Sequence, residues 1–251
     1  MDLGLAGRAA IVTGASRGIG RAVAERLVAE GCDVLAVART GGDGPGTPFA
    51  ADVEDPEAGH AMVAECLERF GRIDVVVNNA GGAEPRRFEQ LADEDWRRAF
   101  ELNFFSAVRL AEAAAPPMRR AGWGRFVHVA SVSGREPDAA FAPYSAAKAA
   151  LLNWSTSLSQ AYAADGVLSS CVVPGITLTE LVAANAAASA ERAGASSDEV
   201  MARQLAHHRV AAGRFGEPHE VAGAVVFLAS AAASWITGAT LEVDGGTLRS
   251  V

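Results

Sequence analysis

The chain has 251 residues, half of them apolar, which is enough to bury a substantial core in one α/β domain. Its formal net charge of −8 lacks the basic excess that a duplex-binding surface needs, which argues against a nucleic-acid partner. The odd set Cys32, Cys66 and Cys171, without a CxxC pair, argues against a disulfide framework or structural zinc and for a reduced, cytoplasmic setting.

In chain order, residues 9–13 read as a first strand, reached too early to leave room for a signal peptide. Ile19, Val23 and Leu27 recur at helical spacing and predict an amphipathic helix ending at Gly31. Strands are expected at 33–38, 49–52, 73–78, 125–130, 167–173 and 240–243. Helices are expected at 57–70, 93–120, 143–164 and 217–228, the second of them loosened by Pro116-Pro117. Charges or Gly and Pro interrupt every apolar run, so no membrane span is expected. Continuous apolar strands alternating with helices imply a parallel sheet of the doubly wound, Rossmann type, covered on both faces. Two stretches break the alternation. Residues 40–48 are too short and too rich in Gly and Pro for a crossover helix, and residues 176–213 hold two helical stretches that read as a substrate lid.

Thr13-Gly14-Ala15-Ser16-Arg17-Gly18-Ile19-Gly20 joins the first strand to the first helix. Gly14 suits the tight turn, Gly18 lets backbone approach a pyrophosphate, and Gly20 lets helix pack closely on strand. The free N–H groups of Ser16, Arg17, Gly18 and Ile19 at the helix start favour the anion. At the end of the second strand an acid would hold a ribose hydroxyl and an arginine a 2′-phosphate. The chain has Arg39 there, with Arg17 as a second cation, which favours NADP(H) and leaves NAD(H) as the alternative. Asp52 and Val53, at the end of the third strand, are expected beside the adenine, and Asn79, Ala80 and Gly81 beside the adenine-side ribose. Pro174, Gly175 and Ile176 follow the sixth strand, where backbone could bond a nicotinamide carboxamide, with Thr177 and Thr179 reaching phosphate or amide.

Tyr144 and Lys148 lie one helical turn apart on one face. An ammonium beside a phenol is expected to lower its pKa from the ordinary value of about 10, so that it exchanges protons at working pH. Ser131 ends the fifth strand, at the sheet edge where ligands bind in open α/β folds, and is preferred to Ser133 and Ser145 as the residue that holds the substrate oxygen. Asn103 interrupts the apolar run Leu102-Asn103-Phe104-Phe105, and a buried amide needs partners; a water linking Lys148 to solvent is one, backbone another. The His207-His208 pair points in two directions on a helix, so no metal site is expected.

TGASRGIG, NNAG, Asn103, Ser131, the Tyr144–Lys148 pair, Pro174-Gly175 and Asp244-Gly245-Gly246, in this order, resemble the short-chain dehydrogenase/reductase family over essentially the whole chain. The resemblance implies one Rossmann-type domain, 1–251, with about seven parallel strands. It also implies the catalytic set Asn103, Ser131, Tyr144 and Lys148, and a homotetramer or homodimer packed through the helices at 93–120 and 143–164. A match to β-ketoacyl carrier-protein reductases is only partial, because Arg125 fits one docking arginine while Asp165 stands at the other.

The implied reaction moves a hydride between the nicotinamide and a carbonyl or alcohol carbon, with Tyr144 as acid/base and Ser131 orienting the oxygen. The alanine-rich lid, with Leu181, Val182, Val200, Met201 and Leu205, favours a small neutral or partly apolar substrate. Arg86, Arg87 and Arg135 near the mouth could instead attract a carboxylate. A non-redox dinucleotide-binding protein, either a sensor or a lyase or epimerase, is the rival reading.

Overall fold

The computed structural model describes residues 2–41 and 44–249. Positions 42 and 43 of the expected helix-free connection, and the chain ends at 1 and 250–251, lie outside the described residues. The apolar strand runs collapse into two cores because side chains alternate across a pleated sheet. Ala10 and Val12 of β1 (Ala9–Thr13) and Val34 and Ala36 of β2 (Asp33–Ala38) face α1 (Gly18–Ala29) and the late helix Pro218–Ala229. Ile11, Leu35 and Val37 face the other way, onto Met62 and Cys66 of α2 (Ala58–Phe70) and onto Leu110, Ala114 and Met118 of the long fourth helix.

The sheet is completed by β3 (Thr47–Ala50), β4 (Val75–Asn78), β5 (Gly124–Val129), β6 (Val167–Pro174) and β7 (Thr240–Val243). All pairings are parallel, in the order β3-β2-β1-β4-β5-β6-β7. This seven-stranded, doubly wound sheet is the architecture read from the sequence. The order reverses between β1 and β4, so their carboxyl ends frame the crevice where such folds bind ligands. The third strand lies two residues earlier than expected. Pairing starts at Leu35↔Thr47, directly after Gly46, and Pro48 is tolerated because β3 is an edge strand. Asp52 therefore stands beyond the strand rather than at its end.

The expected helix at 93–120 is divided. It runs as α3 (Asp93–Phe100), a wide π turn at Glu101–Phe105, and α4 (Ser106–Ala121). The widening coincides with Asn103, whose amide donates to Ala99 O at 3.0 Å and so competes with the helix's own ladder. The remaining helices are α5 (Ala142–Tyr162), α6 (Glu180–Ala193), α7 (Ser197–His208) and α8 (Pro218–Ala229). The two helical stretches expected within 176–213 are thus α6 and α7.

A polar chain crosses the core under α5. The Asn78 amide meets His128 Nδ1 at 3.0 Å, His128 Nε2 meets Ser169 Oγ at 3.2 Å, and Ser169 Oγ meets Ser155 Oγ at 2.8 Å. Burial, reinforced by the Lys148 charge, holds His128 down at about 3. The unfolded chain therefore takes up a proton near the ordinary histidine value while the folded chain does not. Stability is fully present above that value and is lost as pH falls towards the folded one, at about 1.4 kcal/mol per unit below roughly pH 6.5. Urea unfolding followed from neutrality to about pH 4.5 should show this slope in the wild type and a shallower one in His128→Asn. Equal slopes would mean that other groups dominate.

At the amino end of the sheet, burial alone would raise the Asp74 pKa. Hydrogen bonds from Arg72, the Ala9 N–H and Arg8 outweigh that and hold it below the ordinary carboxylate range. Arg8 and Arg125 both stack on Trp123, at 3.9 and 4.3 Å from its ring centroid.

Candidate active site

The glycine turn is held to its neighbours before any ligand is considered. Thr13 Oγ1 accepts the N–H groups of Asn79 and Ala80, both at 3.0 Å. The Asn79 amide returns a bond to Thr13 O at 2.9 Å, and Ala15 N–H donates to Val37 O at 3.0 Å. The ends of β1, β2 and β4 are thereby fixed together at the switch point of the sheet. Gly18 has φ +55°, a backbone region open to glycine. A Cβ on Gly20 would lie 2.2 Å from Gly14 O, so only glycine lets α1 start this close to β1.

The structure brings the expected cofactor residues to this edge. Ser16 and Arg17 are exposed at the start of α1, Ile19 is half-buried in its first turn, and Arg39 is exposed just after β2. Asp52 is exposed and accepts its own turn's Glu54 N–H at 3.1 Å, while Val53 is half-buried against the α2 side of the core. Gly81 lies beside Asn103, where an added Cβ would be 2.7 Å from Oδ1. Gly175 packs on Asp244, and its N–H bonds Val243 O at 3.1 Å, so Pro174 and Gly175 hand the chain from β6 to the site. Ile176 O accepts from Gly216 N–H at 3.0 Å. Thr177 is buried, with its hydroxyl on Gly175 O at 3.1 Å, and Thr179 caps α6 by accepting Val182 N–H at 3.3 Å. Both threonine hydroxyls are thus engaged by backbone.

Ser131, Tyr144 and Lys148 converge at the carboxyl end of β5. Ser131 caps the short turn Val132–Gly134, accepting Ser133 N–H at 3.1 Å. Lys148 is 4% exposed; its ammonium donates to Val129 O at 2.8 Å and lies 5.8 Å from the Tyr144 ring centroid. Burial pushes Lys148 down to about 8. The same burial raises Tyr144 above the ordinary tyrosine value, and the neighbouring Ser131 hydroxyl recovers only part of that. This reverses the expected effect on the phenol. Desolvation outweighs the Ser131 hydroxyl, and the ammonium lies over the ring face, 5.8 Å from its centroid, so near neutrality the phenol keeps its proton.

Asn103 is 2% exposed, and its partners are backbone. Besides Ala99 O, its amide donates to Gly82 O at 3.0 Å, and its Oδ1 accepts Gly82 N–H at 3.1 Å. A small cavity beside it, about 10 Å³ and just large enough for one water, is also lined by Thr13, Asn78 and Lys148.

Some mouth residues are engaged elsewhere. Arg86 pairs with Asp95 at 3.0 Å and Arg135 with Glu242 at 3.0 Å. His207 of α7 reaches Asp138 at 3.6 Å, in the turn that leads into α5. Arg125 is buried on Trp123 at the far end of its strand, and Asp165 pairs with Arg119 at 2.6 Å, so neither forms a docking patch beside this site. Among the described residues no group of three His, Cys, Asp or Glu side chains is placed to hold a metal ion. Sequence reasoning passed over Thr13, although it opens the glycine motif, and Glu180, whose carboxylate reaches Gly18 N–H at 3.0 Å. Nothing local to residue 180 signals that contact.

Comparison with known proteins places this geometry among relatives. The short chain dehydrogenase family profile matches residues 8–190. The 3-oxoacyl-[acyl-carrier-protein] reductase of Vibrio cholerae is 36% identical, over 97% of this chain and 98% of that protein. The short-chain reductase protein NovJ of Streptomyces niveus is 38% identical, over 94% and 92%. Among solved structures, L-sorbose reductase from Gluconobacter frateurii, complexed with NADPH and L-sorbose, superposes with a TM-score of 0.94 at 32% identity, covering both chains fully. Ligand-free aldohexose dehydrogenase from Thermoplasma acidophilum superposes with a TM-score of 0.89 at 33% identity, over 97% of this chain and 94% of that one.

Proposed function

The chain belongs to the short-chain dehydrogenase family and is an oxidoreductase of carbonyl or alcohol groups, and from that premise we propose that it is an NADP(H)-dependent enzyme acting on a small uncharged substrate with Tyr144 as acid/base. The observation that carries the reading is the Tyr144–Ser131–Lys148 convergence at the carboxyl end of β5, beside the glycine turn. The fit to a dinucleotide rests on the first turn of α1, which carries no acidic residue and no side-chain cap of its own. A nicotinamide dinucleotide bound there supplies or accepts the hydride. In the reducing direction the Tyr144 hydroxyl donates its proton to the substrate oxygen, and the Ser131 hydroxyl donates a hydrogen bond that steadies it. Lys148, with one N–H on Val129 O, keeps two donors for the cofactor ribose. Asn103 holds Gly82 and so braces the segment that follows β4. In the oxidising direction the same groups run in reverse.

Arg17 and Arg39 support the NADP(H) preference. Both are exposed on segments joined by the bond from Ala15 N–H to Val37 O, and neither is ion-paired among the described residues. The sorbose reductase relative was solved with NADPH. Arg39→Asp should weaken NADPH binding about tenfold or more and leave NADH within about twofold, by fluorescence titration. Equal effects on both would remove the 2′-phosphate assignment and favour NAD(H).

The substrate reading follows from Arg86 and Arg135, whose charges are already paired, and from the alanine-rich helices α6 and α7, which we assign as the lid of one catalytic domain. A sugar such as the L-sorbose held by the relative falls within that class. We further read the protein as a cytoplasmic homotetramer or homodimer, on its three unpaired buried thiols and on the exposed Phe105 beside α4. Among the described residues no helix is long and apolar enough to cross a membrane. The test is consumption of NADPH or NADH against a panel of ketones, ketoses, quinones and keto acids. Binding without turnover across the panel would favour the sensor, or the lyase or epimerase, over the reductase.

A further inference from the structure

Helix α1 begins without a cap of its own. Arg17 stands at the N-cap position and makes no side-chain capping bond, and the first turn holds no acid. The acceptor that meets this turn comes from 162 positions further along the chain. Glu180 Oε2 accepts Gly18 N–H at 3.0 Å. Glu180 is also the first residue of α6, so its carboxylate lies at the positive ends of two helices at once.

The contact is built rather than incidental to a loose loop. Thr177 bridges to Gly216, Leu178 N–H donates to Gly216 O at 2.8 Å, and Thr179 caps α6. The Thr179 methyl sits 3.1 Å from where a Cβ on Gly18 would project. Beside the carboxylate an open groove of about 500 Å³, lined by Arg21, Glu217 and His219 among others, leaves room for the side chain to swing aside.

Resting on the dinucleotide reading above, we propose that Glu180 is a displaceable stand-in for the cofactor diphosphate, which sets dinucleotide affinity. A diphosphate at the start of α1 and the carboxylate of Glu180 compete for one N–H and repel each other. Binding must therefore move the Glu180 carboxylate off the Gly18 N–H. A carboxylate here lowers affinity for the cofactor and steadies the ligand-free protein, because it satisfies a donor that would otherwise lack a protein partner.

The experiment is calorimetric titration of NADPH, NADH and inorganic pyrophosphate into wild type, Glu180→Gln and Glu180→Ala. Thermal unfolding checks that each variant is folded; the glutamine variant keeps the size and loses only the charge. Both variants should bind all three ligands about three- to tenfold more tightly than wild type. Unchanged or weaker binding overturns the proposal, since Glu180 would then be a bystander or a positive contributor to the cofactor site. If none of the proteins binds a dinucleotide, the functional reading fails instead. The pyrophosphate titration still decides whether Glu180 guards the turn.

Discussion

Tyr144→Phe is expected to lower turnover by about 10²- to 10⁴-fold while dinucleotide affinity stays within about twofold. The substitution removes one oxygen from a side chain whose ring lies under the Lys148 ammonium and whose hydroxyl neighbours Ser131. The ring keeps its place in α5, so the glycine turn proposed to hold the cofactor is untouched. What disappears is the proton. Burial holds the phenol above the ordinary tyrosine range, so at neutral pH it is a loaded donor. The Ser131 hydroxyl is a weaker acid still, and the Lys148 ammonium donates to Val129 O and is assigned to the cofactor ribose. Steady-state kinetics with the best substrate of the panel, together with a cofactor titration, separates the two effects. A mutant that kept most of its rate would move the acid/base role to another residue. A mutant that lost cofactor affinity as well would show that the hydroxyl also helps to hold the dinucleotide.

Gly20→Ala should act through packing and abolish cofactor binding with it. A Cβ there meets Gly14 O at 2.2 Å and the Asn79 amide at 2.4 Å. Neither neighbour is a free side-chain end: Gly14 O is backbone of the turn, and the Asn79 amide is committed to Thr13 O. Relief requires α1 to lift from β1 or the Thr13–Asn79 contacts to break, and either distorts the crevice where the diphosphate is assigned. We expect a loss of about 3 kcal/mol in stability and a fall of roughly 10 °C in Tm, with dinucleotide binding weakened at least about a hundredfold. Thermal unfolding without ligand and titration with NADPH measure the two parts. A folded variant with wild-type affinity would mean that the turn is more compliant than its contacts imply.

Much of the site was legible because its residues sit at positions where local rules speak. The glycine turn lies between an apolar strand and an amphipathic helix, and Ser131 sits at a strand end. Tyr144 and Lys148 are one turn apart, so their meeting follows from helix geometry alone. Local rules fall silent elsewhere. The third strand starts two residues before the position its apolar residues suggest, because its edge position in the sheet tolerates Pro48. The helix at 93–120 read as continuous because the π turn is created by Asn103 bonding Ala99 and Gly82, and Gly82 lies 21 positions away.

The parallel sheet, the order of its helices, the glycine turn and the Tyr144–Lys148 pair all follow from the residue pattern. They depend on periodicity, glycine and short spacing, which act within a few residues. The protonation of that pair, the partners of Asn103 and the reach of Glu180 to Gly18 arise from contacts between distant segments. Charge state depends on how much water the whole fold removes from a group, and a hydrogen bond between distant positions depends on where the sheet delivers them.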